Sequence, residues 1–162
     1  MMIKLLIQSL RPKQWTKNVL LFAGLIFSKN LFNLPFFIKA LAGFICFCAL
    51  SGSLYLLNDL LDREQDRKHP EKSKRPLASG RLSVKLVVVG VIILSSLALT
   101  GSFMLDKSFG FVALIYFLLI IGYTLWFKNI DILDVIVIAL GFVLRAIAGA
   151  EIINVTISSW LL

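Results

Sequence analysis

The sequence predicts an all-α, polytopic transmembrane helical bundle, and three observations lead there. Hydrophobic residues make up 59% of the 162 positions and charged residues only 16%, an apolar share above the roughly 45–50% of soluble domains. Four stretches, residues 36–57, 86–105, 109–127 and 135–162, are each apolar and long enough to cross a bilayer, which takes about 20 such residues. Lys and Arg collect mainly between these stretches, where basic residues set topology.

Taken in order, the chain opens with Lys4, Arg11, Lys13 and Lys17 and a shorter apolar run, residues 19–27. That run spans only if residues 15–18 lie inside protein rather than lipid. Five helices are expected in all. Between the second and third comes the one long polar connection, residues 58–85, holding Arg63, Arg67, Lys68, Lys72, Lys74, Arg75, Arg81 and Lys85. With the amino terminus in the cytoplasm, both basic clusters and Lys128 fall on that side, so the loop is expected to be cytoplasmic. The net charge of +8 is thus accounted for by topology, and no nucleic-acid partner is expected. Cys46 and Cys48 stand two residues apart within an apolar helix and read as small hydrophobes. Internal repeats and soluble domains are absent from the pattern, so residues 1–162 read as a single transmembrane domain.

The second span runs into a polar face. Ser51, Tyr55, Asn58, Asp59, Asp62 and Asp66 fall within an arc of roughly 100° at about 100° per residue. Carboxylates gathered at a helix end, where the carbonyls are already negative, repel one another unless a cation neutralises them. Magnesium suits such a site, because it takes oxygen ligands and is commonly shared between one or two carboxylates and substrate phosphates. The following cations, Arg67, Lys72, Lys74 and Arg75, are the right residues to take up remaining phosphate charge. Pro70, Pro76 and Gly80 stop the loop from continuing as helix. Taken singly, the loop cations also read as ordinary topology signals on a solvated face.

Asn58-Asp59-x-x-Asp62-x-x-x-Asp66, followed by Arg75-Pro76-Leu77-Ala78-Ser79-Gly80, resembles the first aspartate-rich motif and adjoining loop of the UbiA-type intramembrane prenyltransferase superfamily. The opening Arg11-Pro12-Lys13-Gln14-Trp15-Thr16-Lys17-Asn18 and the loop His69-Pro70-x-Lys72-x-x-Arg75-Pro76 look like its decaprenyl-phosphate phosphoribosyltransferase branch. So does the stretch from Asp131 onward, with Asp134, Gly141, Phe142, Arg145, Ala148, Gly149, Ser159 and Trp160. The resemblance implies a bundle of about nine helices, of which about five are expected here, and a second acidic motif that this sequence lacks. An amino-terminal part of a longer protein is the simplest reading.

What the resemblance implies chemically is transfer of a 5-phosphoribosyl group from phosphoribosyl diphosphate to a polyprenyl phosphate lipid, with Mg2+ as cofactor. Asn58, Asp59, Asp62 and Asp66 would hold the metal, with Asp59 and Asp62 as the catalytic pair. Lys17, Asn18, Tyr55, Arg67, Lys72, Lys74, Arg75 and Arg145 would contact substrates. Two alternatives stay open: the same fold transferring a prenyl chain from a prenyl diphosphate to an aromatic or lipid acceptor, and an inactive amino-terminal membrane fragment.

The remaining singled-out residues divide by position. Arg145 lies deep in the last span, where an arginine needs an anion, a partner helix or a water-filled cavity. Asp134, eleven residues earlier, falls close to the same helix face and is expected to line the same cavity. Glu151 lies off that face and reads as structural. His69, the only histidine, is a weak general-base candidate without an evident acid partner. Trp15, Tyr123 and Trp126 read as interfacial anchors. Gly43, Gly52, Gly90, Gly101 and Gly122 are expected to permit close helix packing.

Overall fold

The computed structural model describes residues 2–128 and 130–156. A short helix α1 (Met2–Ser9) leads into a 3-10 helix, Pro12–Phe22, which continues as α2 (Ala23–Phe27). The long helix α3 (Leu34–Leu61) follows, then α4 (Arg63–Lys68), a 3-10 turn Lys72–Lys74, and α5 (Val84–Leu105). Helix α6 (Lys107–Gly122) runs into a π-helical turn, Tyr123–Phe127, before α7 (Asp131–Glu151). The described residues are helices and turns, as an all-α bundle requires, and four helices are long and apolar enough to cross a membrane.

The fifth expected helix is the exception. The 3-10 helix and α2 together carry the apolar run, but as 11 and 5 residues of different winding. A 3-10 helix rises about 2.0 Å per residue against 1.5 Å for an α-helix, so the pair reaches roughly 30 Å on few residues. The segment is packed against α3 and α7, with Asn18, Leu21 and Leu25 at 0% exposure. It ends in a reversal at Lys29, φ 59°, closed by the Asn30 N–H donating to the Leu25 carbonyl at 3.0 Å. That is a Schellman stop built on lysine in place of the usual glycine. The same device ends α7: Asn154 has φ 54° and the Val155 N–H donates to the Ala150 carbonyl at 3.1 Å. The last span therefore stops at Glu151 instead of running on as expected, and residues 157–162 lie outside those described.

Capping residues explain the other boundaries. Pro35 sits in the first turn of α3, where its missing N–H costs nothing. Ser83 accepts from the Leu86 N–H at 3.3 Å and starts α5. Asp106 both ends α5 and accepts from the Phe109 N–H at 3.0 Å to start α6, so the two helices form a tight antiparallel pair.

Helix α3 is the hub. It packs on α5, α6 and the 3-10 helix, and 56% of its apolar window is buried, against 22–28% for the other three. One core joins Leu21, Leu25, Phe47, Leu50, Phe109, Tyr116, Ala148 and Ile152, with the Phe47 ring 5.6 Å from Phe109 and 5.3 Å from Tyr116. A second, at the loop end, joins Leu56, Leu77, Leu82 and Val87, against which Leu5, Leu6 and Leu10 pack. Residues 76–82 are thus anchored by Leu77 and Leu82, at 1% and 2% exposure, and the loop is not the freely solvated connection its charge suggests. Helix α1, which sequence reasoning did not anticipate, supplies that cluster's roof.

Among the glycines, the tightest backbone approach falls between α7 and the amino-terminal segment. A methyl group built on Gly149 would lie 1.9 Å from the Leu21 carbonyl oxygen, and one on Gly24 would lie 2.9 Å from the Ala150 backbone. Of the glycines picked from sequence, Gly43 and Gly52 do face close neighbours, at 2.6 and 3.1 Å, while Gly90, Gly101 and Gly122 have only ordinary contacts from 3.4 to 3.5 Å.

Candidate active site

The carboxylates at the end of α3 are neutralised by cations of the chain itself. Asp59 Oδ1 accepts from Arg11 Nη2 at 2.5 Å and from Arg75 Nη1 at 3.1 Å. The same Arg75 nitrogen donates to Asp66 Oδ2 at 2.7 Å, and Lys128 pairs with Asp62. Asp59 and Asp66 are only 3% and 2% exposed, so these ion pairs are enclosed rather than surface contacts. Expected like-charge repulsion is relieved by residues brought in from three separate segments. Among the described residues, no three His, Cys, Asp or Glu side chains form a metal-holding group.

Two cavities flank this helix end, and adjacent residues face different ones. A cavity of about 260 Å3 is bordered by Asp59, Glu71, Lys74 and Arg75, with Gln8, Ser9, Arg11 and Pro76 completing it. A second, of about 290 Å3, is bordered by Ser51, Tyr55 and Asn58 of α3 together with Lys17, Tyr116, Tyr123 and Arg145. One polar arc was expected; instead α3 separates the arc's residues, because one step along a helix turns the side chain by about 100°. Arg11 borders both cavities. Its guanidinium lies 4.9 Å from the Tyr55 ring centroid, and its backbone is left-handed at φ 52°, an uncommon conformation for a residue with a Cβ.

The chemistry of the donor set suits magnesium: Asp59, Asp62 and Asp66 are carboxylates, and Asn58 adds an amide oxygen on the side of the larger cavity while Asp59 borders the smaller one; sharing between one or two carboxylates and a phosphorylated ligand needs no closed cage.

The other substrate candidates are distributed unevenly. Lys74 and Arg75 border the smaller cavity, although the Lys74 ammonium is paired with Glu71 at 3.2 Å. Arg67 donates to Glu64 at 3.1 Å and to the Ala78 carbonyl at 3.3 Å, which ties α4 to the loop's return. Lys72 is exposed and borders neither cavity. His69 holds the loop: its Nδ1 accepts from the backbone N–H groups of Glu71 and Lys72 at 3.2 and 3.3 Å, a turn-forming role that agrees with its weak standing as a base.

Deep in the larger cavity, Arg145 is 6% exposed. Its Nε donates to Asn18 Oδ1 at 2.8 Å, Nη1 to the Gly141 carbonyl at 2.6 Å and Nη2 to the Tyr116 hydroxyl at 2.7 Å. Asn18 in turn donates to Ser51 Oγ at 3.1 Å. Tyr116 was missed from sequence; a tyrosine in mid-span whose hydroxyl needs a partner was the available signal. Two expectations change here. Tyr123 is no simple interfacial anchor, for it borders the cavity and its hydroxyl donates to Asp134 Oδ1 at 2.7 Å. Asp134 is thereby occupied by Tyr123 and, unlike Arg145, does not border the cavity. The π-helical turn makes this possible, placing Tyr123 and Thr124 on the cavity wall, a use of π-turns that recurs at functional sites.

Residues 19–162, most of the chain, match the UbiA prenyltransferase family. The chain belongs to that family. Among UbiA relatives, a decaprenyl-phosphate phosphoribosyltransferase of Corynebacterium glutamicum is 35% identical over 161 residues, covering 97% of this chain and 48% of the relative. One of the same name from Mycobacterium tuberculosis is 29% identical over 160 residues, covering 96% and 53%. The chain spans about half the length of these curated relatives. The fold is that of a UbiA homologue from Archaeoglobus fulgidus solved with GPP and Mg2+: TM-score 0.77, 23% identity, covering 96% of this chain and 56% of that one. The UbiA membership agrees with the aspartate motif from which the superfamily was recognised, and the helical bundle agrees with the membrane architecture expected of it.

Proposed function

We propose that the complete protein is a multi-pass membrane transferase that moves a 5-phosphoribosyl group from phosphoribosyl diphosphate to the phosphate of a polyprenyl phosphate, releasing diphosphate. The observation that carries this reading is the pair of charged cavities on either side of α3, one where Asp59 and Glu71 meet Arg11, Lys74 and Arg75, the other bordered by Arg11, Lys17 and Arg145. Two anionic substrates need two separately charged receptors, and the similarity to proteins named decaprenyl-phosphate phosphoribosyltransferase supports the choice of substrates.

Asn58, Asp59, Asp62 and Asp66 would hold magnesium, which would supply Lewis-acid stabilisation of charge on the departing diphosphate. Lys74 and Arg75 border the smaller cavity and contact donor phosphate oxygens, with Arg67 and Lys72 farther out on the same loop. Arg75, already between Asp59 and Asp66, orients the helix end against the loop. The acceptor's phosphate oxygen forms the new bond to the sugar's anomeric carbon as the bond to diphosphate breaks. The loop of residues 58–85 faces the cytoplasm, as its eight Lys and Arg residues favour.

The test is product analysis with purified full-length protein, magnesium, a polyprenyl phosphate and phosphoribosyl diphosphate labelled in the sugar. Label entering the lipid is expected. A prenylated aromatic product from prenyl diphosphate, with no label in lipid, overturns the assignment.

A further inference from the structure

Helix α1 is too short to cross a bilayer, and at about 100° per residue its surface divides into three strips. Leu5, Leu6 and Leu10 pack on the cluster of Leu56, Leu77, Leu82 and Val87. Lys4 and Gln8, a turn apart, form a polar strip; both are exposed, and Gln8 borders the smaller cavity beside Asp59. Ile3 and Ile7, also a turn apart, form a third strip about 100° round the helix from the polar one, and they are 75% and 48% exposed. One side of α1 thus meets protein, one meets the water of the cavity, and one is apolar with no protein over it.

Depth and charge decide what the third side meets. Leu56 lies near the end of α3 and Val87 near the start of α5, so the cluster under α1 sits at the level where two spans leave the bilayer. Trp15 Nε1 donates to the Leu10 carbonyl at 3.2 Å and puts an indole, the side chain typical of that level, at the foot of the helix. The sequence has no Asp or Glu before Asp59, and Asp59 is taken by Arg11 and Arg75. Among the described residues, Lys4 and Lys13 make no ion pair, nor does Lys85, which follows Val84 of the same cluster. All three are exposed. An isoleucine strip flanked by unpaired lysines at the level of the span ends is complementary to a leaflet carrying anionic headgroups.

We propose that α1 is an interfacial anchor: Ile3 and Ile7 enter the acyl boundary of the leaflet on the side of residues 58–85, and Lys4, Lys13 and Lys85 hold its anionic headgroups. Lipid contact then bears on the site, because Leu10 leads directly into Arg11, the partner of Asp59, while Leu5 and Leu6 roof the cluster that holds Leu77 and Leu82.

The test uses purified full-length protein freed of its native cysteines, with a nitroxide attached in turn to Ile3→Cys, Ile7→Cys and Gln8→Cys. Nanodiscs contain phosphatidylcholine alone or mixed with phosphatidylglycerol. Relaxation by oxygen, which concentrates in lipid, is compared with relaxation by a water-soluble nickel chelate. In the mixed discs the oxygen-to-nickel ratio should be at least about threefold higher at positions 3 and 7 than at position 8, since an interfacial helix buries one face and keeps another wet. Omitting phosphatidylglycerol, or replacing Lys4, Lys13 and Lys85 together by Gln, should lower the ratio at position 7 toward that at position 8. All six altered positions are exposed, so the packed core is untouched. The proposal is overturned if positions 3 and 7 are as open to nickel as position 8, or if they are shielded from both reagents, as under a protein partner. A ratio at position 7 that ignores both the phosphatidylglycerol and the three lysines overturns it as well.

Discussion

Arg75 Nη1 donates to Asp66 Oδ2 at 2.7 Å and thereby closes the loop back onto α4. The same nitrogen reaches Asp59 at 3.1 Å, so one guanidinium joins the end of the central helix, the short helix after it and the basic segment. The consequence is that one side chain contributes both to loop order and to the charge balance of the site.

Removing that side chain should loosen the loop. Arg75→Gln leaves Asp59 with Arg11 alone and Asp66 with no cation, and breaking an enclosed ion pair costs about 3 kcal/mol. Thermal unfolding and limited proteolysis within residues 67–81 report it. The double variant with Asp66→Asn should cost clearly less than the sum of the single changes; strict additivity contradicts the pairing.

Asp59→Asn and Asp62→Asn in the complete enzyme should each lower turnover at least about a hundredfold, the usual size of lost transition-state charge stabilisation. Insertion should persist, since the apolar spans are untouched. Near-normal turnover of both variants at saturating magnesium sinks their assignment as metal ligands.

Gly149→Ala should be far worse than Gly90→Ala. The first places a methyl group 1.9 Å from a backbone oxygen, whereas the second meets only side-chain atoms from 3.5 Å outward. Overpacking costs of about 1–3 kcal/mol form a lower bound where backbone must yield, while Gly90→Ala gains up to about 1 kcal/mol of helix propensity. Thermal stability in detergent separates them, and equal stabilities refute the close approach of α7 to Leu21.

Orientation is checked by Ser73→Cys in a Cys46→Ala/Cys48→Ala background. An impermeant maleimide should label it only after the inner face is opened. Labelling from outside intact cells contradicts the cytoplasmic placement of residues 58–85, which rests on their positive charge.

Much of this architecture is legible in the sequence for a simple reason: a bilayer demands apolar runs of about 20 residues, and such runs announce themselves. Helix α1 does not, because its eight residues are too short for that signal. The 3-10 winding of residues 12–22 is equally hidden, since the apolar pattern fixes burial more firmly than pitch. At the site, spacing along α3 places Ser51, Tyr55 and Asn58 together, but cannot say that Asp59 turns toward another cavity. Nor can it find the partners. Arg11 and Lys128 stand 48 and 66 residues from Asp59 and Asp62, and Arg145 stands 127 from Asn18; only the packing of the segments brings them together.

The left-handed backbone of Arg11 has a consequence for how this protein tolerates change. Holding a residue with a Cβ in that conformation costs roughly 1–2 kcal/mol, and glycine would relieve it. Glycine would also remove the guanidinium that meets Asp59 and stacks on Tyr55. The substitution that best suits the backbone is thus the one that removes the guanidinium bordering both cavities. Position 11 therefore holds a strained backbone in place through its side chain: the roughly 1–2 kcal/mol that glycine would relieve is less than the cost, about 3 kcal/mol, of losing the enclosed pair with Asp59.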